Sequence, residues 1–127
     1  MKAIALILLV APLASLAQGK YIIKGERNGV ELAYRWNHPL GKPSELHLRL
    51  KNNTAEDKSL SLEIDLSYQG LTVETLSADT CIKAGRTMTG KLNGIYFVPT
   101  RLTTDQLKSG DTEAEFTRTE MTAGECP

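Results

Sequence analysis

His38 and His47 are the only histidines in this chain of 127 residues, and imidazole is the side chain best suited to proton transfer near neutral pH. His38 follows Trp36 and Asn37 and precedes Pro39, so an aromatic ring, an amide and an imidazole gather where a strand gives way to a loop. Loops at the ends of β-domains commonly carry binding residues, which makes Trp36 and His38 candidate ligand contacts. The plainer reading is a core tryptophan followed by a turn, because Trp36 continues the apolar face of its strand. His47 sits at the wet position of an alternating run and is expected to be an ordinary exposed side chain. Tyr96 is the third candidate contact. In the row Tyr96-Phe97-Val98 a regular strand points at least one large side chain away from the core, and the turn near Asp105 is expected to cover it.

Other chemistry finds little to stand on. No serine lies in a GxSxG turn and no cysteine has a histidine close by in sequence, so nucleophilic hydrolysis has no motif. Glu63 and Asp65 share one face, as the paired carboxylates of a glycosidase must, but on a solvated face their expected role is to keep the sheet soluble. The series Asp111, Glu113, Glu115, Glu120 and Glu125 lacks the dense Asx and Gly spacing of a calcium loop and reads as a solvated edge strand. Gly90 to Pro99 bears glycines without phosphate-cradle spacing. Asn52-Asn53-Thr54 fits an acceptor for N-linked sugar in a secretory pathway that attaches one. No catalytic, cofactor-binding or metal-binding residue is expected, and no cofactor.

The residues above ride on a period of two. In Val30-Glu31-Leu32-Ala33-Tyr34-Arg35-Trp36, in Leu46 to Lys51 and in Leu60 to Tyr68, large apolar residues alternate with polar ones, which places them on one face of an extended chain. As helices these stretches would scatter their leucines around the whole circumference. Asn28-Gly29 is a tight-turn dipeptide, 52–57 is a polar connector, and Gln69-Gly70 ends the longest run. Further strands are expected at 71–76, around Cys81, at 86–92, at 95–98 and at 112–121, where Ala114 and Phe116 face inward. A short helical turn is expected near 103–109, capped by Thr103 or Thr104 and stopped by Gly110.

About seven short, one-sided strands imply two sheets packed face to face, an all-β fold formed as a single antiparallel β-sandwich. The run Leu46 to Asn52, the turn through Asp57, the run Leu60 to Tyr68 and the turn Lys83-Ala84-Gly85 before Arg86 together resemble the immunoglobulin-like or fibronectin type III-like sandwiches of exported proteins. The resemblance implies fold and no activity. Trp36 precedes both cysteines instead of lying between them, and Gly124 stands where the immunoglobulin family has its corner tyrosine.

Residues 1–17 read as a cleaved signal peptide: Lys2, an apolar run from Ala3 to Leu13, and the small-residue site Ser15-Leu16-Ala17. That leaves 18–127 as one domain, secreted or periplasmic, with no stable membrane insertion after cleavage. Cys81 and Cys126 both fall in the exported part, where an oxidising compartment favours a disulfide. Fifteen basic residues balance fifteen acidic ones, so nucleic acid is a poor partner. The expected function is a non-enzymatic binding or accessory module that contacts a protein or glycan through an end loop or edge strand. The alternative is a small secreted hydrolase, or a hydrolase subunit, using His38 and a carboxylate.

Overall fold

A computed structural model describes residues 20–127 of the chain. The segment read as a signal peptide, with its cleavage site, lies outside the described residues. The protein is all-β, with two antiparallel sheets and one short helix. In the first sheet β1 (Ile22–Arg27), β2 (Val30–Asn37) and β3 (Glu45–Asn52) pair in order. The far edge of β3 is shared by two short strands, β6 (Thr87–Thr89) against Arg49–Lys51 and β7 (Tyr96–Phe97) against Leu46–His47. In the second sheet β4 (Lys58–Tyr68) lies between β5 (Leu71–Ile82) and β8 (Thr112–Ala123).

Alternation does what the sequence pattern demands. Leu46, Leu48 and Leu50 from β3 are fully buried, as are Ile64 and Leu66 from β4, with Leu60 and Leu62 nearly so. Each such side chain removed from water contributes about 1.5–3 kcal/mol, and together they form one core between the sheets. Ala114 and Phe116 of β8 face inward as expected. The hairpin β1–β2 turns on Asn28 (φ 51°) and Gly29 (φ 82°), and β4–β5 on Gln69 (φ 51°) and Gly70 (φ 84°). Paired positive φ values are the turn geometry whose twist matches antiparallel strands. Helix α1 (Thr104–Lys108) begins at Thr103, whose hydroxyl accepts from the Gln106 amide, while the Gln106 side chain accepts from the Thr103 amide. It buries Leu107.

One end of the second sheet is tied covalently. The Cys81 and Cys126 sulfurs form the expected bridge, 45 residues apart in sequence. Beside it the Asp57 carboxylate accepts from the backbone amides of Ala84 and Cys126, each at 2.9 Å, and these bonds hold its carboxyl below the usual range. Across one open side Lys24 of β1 reaches Glu115 of β8 at 2.7 Å.

Two expectations need correction. The two strands expected at 71–76 and around Cys81 are one 12-residue strand, because both pair continuously with β4. The single strand expected at 86–92 stops at Thr89, and the two sheets together hold eight strands among the described residues, five in the first and three in the second. Tyr96 is half-covered, with His47 edge-on to its ring and Lys91 over it; the neighbouring Val98 is left 43% exposed.

Candidate binding site on the outer face of the first sheet

Residues Glu45, His47 and Arg49 point outward from β3, as do Glu31, Ala33, Arg35 and Asn37 from β2, since their neighbours fill the core. An outward position on such a sheet is ordinarily wet. Here Glu45 and His47 are only 7% and 5% exposed, so the expectation that His47 is an exposed side chain is wrong.

What covers them is an interruption in the edge strand. At Gly90 the chain leaves the sheet, makes a short 3-10 turn over Lys91–Asn93, and returns at Gly94. The Gly90 amide donates to the Leu48 carbonyl at 2.7 Å, the Ile95 amide to the Gly90 carbonyl and the Leu48 amide to the Ile95 carbonyl, both at 3.0 Å. The sheet is therefore closed beneath the excursion while 91–94 stand proud of it. Gly90 has φ 39° and ψ −131°, and a Cβ there would lie 2.8 Å from His47 Nδ1. Only glycine satisfies both the backbone and the close approach.

Beneath the excursion lies a fully partnered carboxylate. Glu45 Oε1 receives His47 Nε2 at 2.9 Å and Asn37 Nδ2 at 3.2 Å, and Oε2 receives Lys91 Nζ at 3.0 Å. These bonds, that from His47 foremost, hold the Glu45 carboxyl down at about 2, against the opposing effect of burial. An ionised carboxylate only accepts, so Nε2 carries the hydrogen in this pair; in the neutral ring Nδ1 is then an acceptor. Lys91 gains from the same contact, its ammonium held above the usual range by Glu45.

A recess of about 300 Å³ opens beside this cluster. His47, Thr89, Gly90, Lys91 and Leu92 line it. Tyr21 and Arg35 line it as well. The Arg35 and Arg49 guanidinium carbons lie 4.8 and 5.0 Å from the Tyr21 ring centroid, a cation–π arrangement that stations both cations against one aromatic ring. Arg49 is also paired with Glu31 at 2.9 Å. Lys91 lies 5.3 Å from the Tyr96 ring, and Tyr96 meets His47 edge-on with centroids 5.9 Å apart.

The residues singled out from sequence are not gathered in one place. Trp36 packs against the core with its ring stacked on His38, centroids 6.5 Å apart, while Tyr96 belongs to the opposite face of the same sheet. His38 Nδ1 lies 2.7 Å from Ser44 Oγ, which donates to Thr104 Oγ1 at 3.0 Å. This chain pins the β2–β3 loop to α1, and burial followed by the nearby Lys108 charge pushes the His38 imidazole down from its ordinary value. The hydrolase alternative needs a carboxylate at His38, whereas the imidazole–carboxylate contact seen is between His47 and Glu45. Glu63 and Asp65 are occupied by Arg118 at 3.3 Å and Thr75 at 2.8 Å. Asn52 is fully buried, its Nδ2 donating to the carbonyls of Glu56 and Ile82 at 2.8 and 3.0 Å and its Oδ1 accepting from Thr54. The folded chain therefore does not offer this amide nitrogen for glycosylation. Among the described residues no group of three or more His, Cys, Asp or Glu stands where it could hold a metal ion.

Sequence reasoning missed Glu45, Arg35, Lys91 and Tyr21. The available signals were Glu45-x-His47, which places both side chains on one face, and the glycine pair Gly90/Gly94, which breaks the alternation of the edge strand. Compared with protein-family models, curated proteins and solved structures, the chain finds no match.

Proposed function

We propose that this protein is an exported, non-enzymatic β-sandwich of immunoglobulin-like layout that acts as a binding or accessory module for a protein or glycan. The observation that carries the proposal is the recess over Glu45 and His47. A sandwich of this size needs no charged pair on its sheet face, and burying one costs desolvation that a leucine would not. Here the pair braces Lys91 beside an open concavity that an aromatic ring, Tyr21, and the imidazole of His47 also line. Export is supported by the layout of residues 1–17 and by a disulfide that persists only where thiols are oxidised.

The discriminating experiment compares wild type with His38→Ala. Immobilised protein is challenged with a glycan array and with the extracellular fraction of its source, and the same samples are assayed on chromogenic ester and glycoside substrates. A defined ligand retained by both proteins is the expected result. A turnover that His38→Ala abolishes refutes the proposal in favour of the hydrolase reading.

A further inference from the structure

We infer that the outer edge of β5 pairs antiparallel with the same edge of a second copy of this chain, with the twofold axis at Ala78. This surface lies apart from the recess and is independent of what the recess binds.

A strand at the border of a sheet carries amides and carbonyls that no neighbouring strand takes up, and chains ordinarily blunt such borders with bulges, glycine or proline, charged side chains or brevity. The other described borders are blunted in these ways. β1 has six residues, a register break between Ile23 and Gly25, and Lys24 turned across to Glu115. β6 and β7 have three and two residues and are parted by the excursion at Gly90. β8 skips register at Thr117 and carries Glu113, Glu115, Arg118 and Glu120. β5 differs. From Glu74 to Ile82 it pairs residue for residue with β4, without a bulge, and this stretch contains no glycine, proline, lysine or arginine. No other described strand pairs with it. At its Glu74 end a loop is fastened to it, the amides of Thr100 and Arg101 donating to that carboxylate at 3.1 and 3.0 Å. The run offered to a partner is therefore Thr75 to Cys81.

Main-chain bonds along such an edge accept any extended chain, and the side chains choose which one. The midpoint of Thr75 to Cys81 is Ala78, whose methyl group leaves nothing bulky to collide on the axis. Pairing about that point sets Ser77 of each copy opposite Asp79 of the other. Both residues are exposed on the outer face, across from Glu63 and Ser61 of β4. Within one copy the Ser61 hydroxyl already donates to Asp79 Oδ1, and an ionised carboxylate accepts from more than one donor. Ser77 of the second copy thus repeats, from the open side, the contact that Ser61 makes from β4, and the twofold axis makes it twice. Centring on Asp79 instead sets two carboxylates face to face, and centring on Ser77 runs the second copy into the loop fastened at Glu74. Fifteen basic residues against fifteen acidic ones leave no net charge to hold two copies apart. The product joins two three-stranded sheets into one continuous sheet.

The test is sedimentation velocity of the disulfide-bonded protein over a range of concentrations, with amide hydrogen exchange on the same samples. A monomer–dimer equilibrium is expected, weak because an edge-to-edge contact is small, with exchange from Thr75 to Cys81 slowing as concentration rises while β1 and β8 are unaffected. Ser77→Asp sets a carboxylate against each Asp79 across the axis and is expected to weaken the dimer about tenfold, and Ser77→Lys to tighten it about threefold. Position 77 is exposed, and unchanged Trp36 emission shows that both variants are folded. A monomer at every concentration overturns the inference. So does a dimer indifferent to both substitutions, one whose protection falls on β1 or β8, or an open-ended assembly in place of a closed pair. Protection of Thr75 to Cys81 by another exported protein, without self-association, overturns it in favour of a strand donated by that protein.

Discussion

Replacing Glu45 by glutamine separates the buried pair's contribution from everything else in the molecule. The carboxyl titrates at about 2 in the folded protein against 4.5 for the free group. At roughly 1.4 kcal/mol per pH unit, that difference of about 2.5 corresponds to at most about 3.5 kcal/mol of stabilisation. Lys91 is 59% exposed and water screens its share, so we expect about 1–2 kcal/mol. Because the folded value is the lower one, this stability is complete above about pH 4.5 and disappears as the pH falls through about 2. Glu45→Gln is therefore expected to be about 1–2 kcal/mol less stable than wild type near pH 7, and equally stable near pH 2. Urea unfolding followed by the fluorescence of Trp36, at several pH values between these limits, measures the difference directly. Asp57 and Glu120 also have depressed values, but they are common to both proteins and cancel. A stability difference that stays constant across the range, or none near pH 7, refutes the account of the pair.

Two further substitutions probe the frame around the site. Asn52→Ala leaves the carbonyls of Glu56 and Ile82 without their donor and the Thr54 turn without its acceptor, with an expected cost of about 2–3 kcal/mol; a urea midpoint within error of wild type contradicts this. Replacing Cys81 and Cys126 together by serine is expected to cost about 4 kcal/mol, from loop entropy over the 45-residue separation. Wild-type thiols that alkylate fully without reductant remove the basis of that figure.

Much of the frame was legible because strand parity is a local property. The alternation from Leu60 to Tyr68 sets which side chains meet the core, and Asn28-Gly29 sets where a hairpin reverses, without reference to distant residues. Parity also placed His47 on the outer face correctly. It failed on exposure, because exposure depends on what else arrives: the excursion from Gly90 to Gly94 and the Tyr21 ring come from segments about 45 and 25 positions away along the chain. Trp36 and His38 drew attention for the opposite reason, since they are adjacent in sequence while their partners in the fold are structural.

By itself the sequence determined the β class, the two faces of each strand, the tight turns, the cysteine pair and the capped turn at Thr103, all of which follow from spacing along one stretch of chain. The tertiary structure alone decided that an outward histidine is buried, that its carboxylate is shared with Lys91, and that Arg35 and Tyr21 complete a recess around them. Those facts depend on which strand neighbours which and where an edge strand breaks, and burial and charge pairing act across space at distances that sequence separation does not encode.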